Sequence, residues 1–366
     1  MRLDDRGRAA ARAARQAVDG LPPPPTPALL RARQRRRSTL VAALILAMAV
    51  ASGGVVWRNL AVEQAPVAPP GPVPALPRHV QARIPVAGGP AAVTVGAGAV
   101  WAASQDGGTV SRIDPASNRV VATITGVPTS RVRSTRRSYP RITAAAGAVW
   151  VANDLTTARI DPASNRVTAT WPVGPGTGEL LITQDALWIS QDDGTVLRVD
   201  PATGRPVASV RVISGAGLMS SGLASLDGAV WASTGAGVVR IDPRTNRPGP
   251  PIEVGLVPAG GLAAAAGSLW LAMDDGTVLR IDPASRRVTA RVAVGGRPFA
   301  VAASDAGVFV TDQDAAVITR IDPATNRVAG RIPIPAWSAI AVGAGAGWAA
   351  DAQANAVFRI DPHASG

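Results

Sequence analysis

One repeat organises this sequence. Asp-Pro occurs at Asp114, Asp161, Asp200, Asp242, Asp282, Asp322 and Asp361, at spacings of 47, 39, 42, 40, 40 and 39 residues. An Arg-Ile or Arg-Val precedes each one, as in "SRIDPASNR", "LRVDPATGR" and "TRIDPATNR". An aromatic residue stands eleven to thirteen positions before every Asp: Trp101, Trp150, Trp188, Trp231, Trp270, Phe309 and Trp348. A unit of about 40 residues cannot bury its own apolar face, so such a period predicts an array of equivalent units that cover one another.

Each unit contains four short runs with turn chemistry between them. In the first they are "AAVTV", "AVWAA", "TVSRI" and "RVVATI", joined by "GAG", "SQDGG" and "DPASN". Proline presets φ at a tight turn, while Gly and Asn accept positive φ, so each junction reads as a hairpin. Four antiparallel strands repeated radially make a β-propeller; a linear solenoid fits less well, because its coils are shorter and need caps. The last unit stops at "VFRIDPHASG" without a fourth run. Ahead of the first unit, "HVQARIPVAGGP" (79–90) matches the "RVTARVAVGGRP" that links later units. Residues 80–86 are therefore expected to supply the outer strand of the seventh blade, removing the open sheet edge. The fold class expected is all-β, a seven-bladed propeller closed by an N-terminal strand.

The repeat, approximately "GxPxAVAVGAGAVWVANxxxGTVxRIDPATNRVVATIPVG", resembles the YVTN family of β-propellers, related to NHL-type and virginiamycin B lyase propellers. The resemblance covers about 280 of the 366 residues. It implies the propeller fold strongly and function weakly, because propellers host binding and catalysis alike. All 37 basic residues are Arg, in an Ala-, Gly-, Pro- and Val-rich chain, which suggests a GC-rich bacterial source such as an actinobacterium.

Charge separates into compartments. The formal net charge is +12, but residues 1–37 hold ten Arg and three Asp, a net of +7, leaving +5 for the rest. That remainder matches one stretch with five Arg and no acid: Arg131, Arg133, Arg136, Arg137 and Arg141. A basic field over one folded surface, the usual mark of a nucleic-acid binder, is not what this distribution describes. After Arg35, Arg36 and Arg37 comes an uncharged run from Leu40 to Val56, at the short end of what spans a bilayer. The flanking Arg predict a cytoplasmic N-terminal side. The organisation expected is 1–37 cytoplasmic, 38–57 a transmembrane signal anchor, 58–78 a Pro-rich linker and 79–366 the propeller, displayed outside the membrane. The alternative is a cleaved signal peptide and a secreted domain, with "AVA" at 49–51 as the cleavage site.

Chemistry is limited by what the chain lacks. It has no Cys, which excludes thiol nucleophiles, disulfides and cysteine metal sites, and its two His are His79 and His363. Streptogramin lyases use a His base and carboxylates that hold Mg²⁺ at the propeller centre. Both His here flank the closure seam, so the resemblance arrives without that base, and Ser-His-Asp chemistry fails for the same reason. No cofactor and no metal are expected. The acidic turns between second and third strands (Asp106, Asp154, Asp192 with Asp193, Asp274 with Asp275, Asp312 with Asp314, and Asp351) read either as solvated hairpin turns or as the rim of a funnel.

The blade-to-blade links share a face with those turns. Where they depart from small residues, a ligand could be read: Tyr139 and Arg141, Glu179, Met219 with Ser220 and Ser221, Arg297 with Phe299, and Trp337. The first link is enlarged to "GVPTSRVRSTRRSYPR" (126–141) and places Arg131, Arg133, Arg136 and Arg137 over the same face. It is either a surface insertion or a finger for phosphate or carboxylate groups. The candidate ligand residues are thus Tyr139, Arg141, Glu179, Arg297, Phe299, Trp337, Arg131, Arg133, Arg136 and Arg137. The expected function is a non-catalytic, membrane-anchored binding module for a protein or an anionic envelope component, with nucleic acid the least favoured partner. A divergent Mg²⁺-dependent lyase-like enzyme and a transmembrane sensor are the alternatives.

Overall fold

The computed structural model describes residues 76–363, apart from 106–107, 129–138, 146, 154, 175, 213–221, 256, 305 and 335–338. The expected cytoplasmic segment and transmembrane helix fall outside these residues, as does most of the linker. Among the described residues, no helix is long and apolar enough to cross a membrane. The propeller belongs to a unit that runs from Pro74 to Gly366.

Seven antiparallel sheets form, one per repeat. Blade 1 consists of Pro90–Gly96, Ala99–Ser104, Val110–Asp114 and Arg119–Ile124, paired in that order. Its neighbours repeat the pattern until blade 7, where Ala339–Gly343, Ala346–Asp351 and Ala356–Ile360 are joined by Val80–Pro85 as the fourth strand. Arg83 lies opposite Phe358 and Ile84 opposite Val357, so the ring closes as the repeat predicts. Blade 4 departs from the pattern. Its fourth strand is broken into Arg247–Pro248 and Ile252–Glu253, both paired to Gly237–Asp242. Pro248, Pro250 and Pro251 cannot donate to a ladder, and an outer strand is where sheets tolerate them.

Burial follows position within the blade. The second strands are buried at every residue, as in Ala99–Ser104 and Ala346–Asp351, except at Asp312 of blade 6, because a neighbouring blade covers each face. Outer strands alternate, as in Arg119–Ile124. The repeated aromatic is the filling between blades: Trp101, Trp150, Trp188, Trp270, Trp348 and Phe309 are fully buried. One core cluster holds Ile84, Val93, Val100, Ile113, Trp348 and Val357, so blade 7, its closing strand and blade 1 share a single apolar body.

The Arg of each "RID" has a role that the charge count conceals. Arg112 lies over Trp101 with its guanidinium carbon 5.3 Å from the ring centroid. The same guanidinium donates to the Pro162 carbonyl at 2.7 Å and to Asn165 Oδ1 at 3.0 Å, both in the "DPASN" turn of blade 2. Arg198 repeats this toward Pro243 and Asn246, Arg280 toward Pro323 and Asn326, and Arg359 toward Pro115 and Asn118. Each also stacks on its own blade's Trp. The Asn takes positive φ, 55° at both Asn118 and Asn165, which turns its carbonyl oxygen toward the neighbouring blade. Asp at the head of the turn accepts from the backbone and side chain that follow, as Asp114 does from Ala116 N and Ser117 Oγ. One nine-residue motif thus makes both the turn and the seam.

Where a turn lacks Asn, the seam is built differently. Blade 3 has Gly204 there, with φ +68°, and a Cβ at that position would run into the Trp171 ring. Trp171 stacks on Trp150 at 5.4 Å in place of an Arg, and Arg159 instead reaches Thr168 within its own blade. Blade 5 has Arg286, which reaches back to the Pro250 and Pro251 carbonyls of blade 4.

Candidate functional site

First strands line the channel, and they pack closely. A Cβ added at Gly96 would fall on the Ala144 carbonyl, and one at Gly261 on the Phe299 carbonyl. At these points only glycine fits between adjacent inner strands.

Five of the ten candidate ligand residues are described. Arg141 opens the inner strand of blade 2, Arg141–Ala145, and Glu179 lies in that of blade 3, Thr177–Ile182. The two come together: Arg141 Nε donates to the Gly178 carbonyl at 3.1 Å, and its charge acts on the Glu179 carboxyl. Burial nevertheless dominates at Glu179 and holds its pKa above the ordinary 4.5, with Arg141 and the Leu180 amide opposing in part. Glu179 is half-buried, and the loss of water around it disfavours the charged carboxylate. Arg297 lies in the link before blade 6 and is occupied by Asp314 at 3.5 Å, both side chains exposed. Phe299, in Pro298–Ser304, is half-buried. Trp337, Arg131, Arg133, Arg136 and Arg137 lie outside the described residues, as do Met219, Ser220 and Ser221.

Tyr139 contributes to a pocket that sequence reasoning did not anticipate. At the upper end of the seam between blades 7 and 1, a cavity of about 70 Å³ is lined by Gln105, Tyr139, Asp351 and Gln353 together with small Ala side chains. Asp351 is the unexpected member. The other described turn acids behave as hairpin turns: Asp193 accepts from Thr195, Asp275 from Thr277, and Asp312 from the amides of Asp314 and Ala315. Asp351 makes the same turn, its Oδ1 accepting from the amides of Gln353 and Ala354 at 2.9 Å. It is not solvated, however. It is fully buried, and its Oδ2 has no hydrogen-bond partner. A buried carboxylate oxygen without a donor is costly, which makes it the feature of this face that most requires a partner.

His79 and His363 stand together at the closing strand, away from the links. Asp361 N donates to the His79 carbonyl, and His363 N donates to Asp361 Oδ1. No imidazole lies near Glu179 or Asp351, and among the described residues no three His, Asp or Glu side chains converge on one point.

No family model and no curated protein matches the chain. Among solved structures, it resembles a chain of hydrazine synthase from Kuenenia stuttgartiensis with a TM-score of 0.61 and 13% identity, over 75% of this chain and 96% of that one. At that identity the likeness carries the architecture and no chemistry. The chain is a seven-bladed β-propeller.

Proposed function

We propose that this protein is a non-catalytic binding module, a YVTN-type propeller anchored through residues 38–57 and displayed outside the membrane. It takes a protein or an anionic envelope component on its link-bearing face. The division of labour between the two ends supports this reading. At the lower end, the Arg of the repeat bonds to a Pro carbonyl and an Asn of the next blade, while the Asp closes its own turn. Residues that break the repeat, Arg141, Glu179 and Arg297, lie in or before inner strands, and the sequence puts the Arg-rich link directly ahead of Tyr139 and Arg141. Guanidinium groups on that link suit phosphate or carboxylate partners.

The test is crosslinking in the native envelope, comparing wild type with Arg131, Arg133, Arg136 and Arg137 all changed to Ser. Loss of specific adducts is expected; an unchanged adduct profile would remove the Arg link from the site.

One observation favours a second reading. Glu179 is a carboxyl of raised pKa beside a cation in a central channel, an arrangement suited to proton transfer. With no imidazole on that face, Glu179 would have to be the base of any lyase-like reaction. A turnover that depends on Mg²⁺ and disappears in Glu179→Ala would favour the enzyme.

A further inference from the structure

The pocket around Asp351 carries an inference that shares only Tyr139 with the described rim candidates. It lies where ring closure brings together three parts of the chain distant in sequence: the second strand and turn of blade 7, Gln105 after the second strand of blade 1, and Tyr139 before blade 2. Asp351 Oδ1 is fixed by two amides, so the side chain cannot swing to find water elsewhere without giving up the turn. Its Oδ2 is left buried and unpartnered. The remaining wall consists of two carboxamides, a phenol and the methyl groups of Ala91, Ala339, Ala350 and Ala352. About 70 Å³ holds at least two waters or one compact head group.

We propose that this pocket binds a cationic nitrogen head group bearing N–H donors, a primary ammonium or a guanidinium. Asp351 Oδ2 accepts the charged hydrogen bond, and the carboxamide oxygens of Gln105 and Gln353 are available to further N–H groups. A charge-assisted bond is the strongest that a lone carboxylate oxygen can make, and a buried setting with little water strengthens it. An anion would meet the Asp351 charge, and a purely apolar ligand would leave Oδ2 as it stands. The stem attached to the head would run out between the Ala side chains. Because the pocket straddles the closing seam, occupancy joins blade 7 to blade 1 and raises thermal stability by mass action.

The experiment follows thermal unfolding of the full-length chain with n-butylammonium, agmatine and short peptides ending in Lys or Arg, against tetramethylammonium, which carries charge but no N–H. A saturable rise in Tm with the N–H cations and none with tetramethylammonium is expected. Response to the free amines assigns a small-molecule source, and response confined to the peptides assigns a protein side chain. Asp351→Asn keeps the turn acceptor and removes the charge. It should fold with an unchanged or higher Tm and bind about tenfold more weakly or worse. Gln105→Leu leaves the carboxylate in place and narrows the pocket, and should weaken the response without lowering the Tm of the free protein. Identical melting with and without every N–H cation, as two resident waters would give, overturns the proposal; so does an Asp351→Asn response equal to wild type. Neither result touches the rim reading at Arg297, which does not line this pocket.

Discussion

Arg112 and Arg159 occupy the same place in successive repeats and differ in what they do. Arg112 is half-buried, stacked on Trp101 and bonded to two acceptors in the next blade, whereas Arg159 has only Thr168 of its own blade. Arg112→Ala leaves the Pro162 carbonyl and Asn165 Oδ1 without donors and should cost about 1–3 kcal/mol in denaturant unfolding. Arg159→Ala should change stability by no more than about 0.5 kcal/mol. Equal losses would show that the seam contact is incidental. The repeat made the positions of these Arg visible, but not their partners, because each partner lies a full blade further along the chain. Asp351 illustrates the same limit. In sequence it is one more turn acid, indistinguishable from Asp312. It is buried as the last residue of a second strand, and Gln105 and Tyr139, more than 200 residues earlier, line the pocket beside it once the ring forms.

Among the elements, Val80–Pro85 carries the greatest consequence. It completes blade 7, and Ile84 is 2% exposed within the cluster shared with blade 1. Without it, Ala356–Ile360 becomes an open edge strand that offers unpaired amides to other chains. A chain beginning after Pro85 should lose its cooperative melt and aggregate, while Ile84→Ala in the intact chain should cost about 2–4 kcal/mol. A truncated chain that melts like the full one would contradict the closure. This element was legible from the match between "HVQARIPVAGGP" and later links, since closure leaves a missing strand at one end and a surplus one at the other. The broken outer strand of blade 4 was less so, because three prolines in "RPGPPIE" mark the break but not that both halves stay paired.

Across the whole molecule, the two ends should respond to pH in opposite senses. At the lower end, Asp114, Asp161 and Asp282 have pKa values held below the ordinary 3.8, mainly by the Ser hydroxyls at Ser117, Ser164 and Ser285. For Asp200 and Asp322 the main cause is the amide of Ala202 or Ala324. Their contribution is present above 3.8 and is lost as the pH falls through the lowered values. Glu179 has the opposite sign. Its folded pKa is raised from 4.5, so the folded state holds the proton more tightly, and stability falls as the pH rises from about 4.5 through that raised value. Glu179→Gln should therefore equal wild type in acid and exceed it near neutrality, with the gap opening only above pH 4.5. A gap independent of pH would place the effect in packing and not in titration.

The proposal that one end of the ring builds the fold and the other meets the partner is tested directly by a photocrosslinker placed at each end. With the probe at Arg297, in the link before blade 6, and with the probe at Ser117, in a lower turn, adducts formed in the native envelope can be compared in the same full-length protein. A discrete, saturable adduct is expected from position 297 and none from position 117. Discrete adducts from 117 and none from 297 would contradict it.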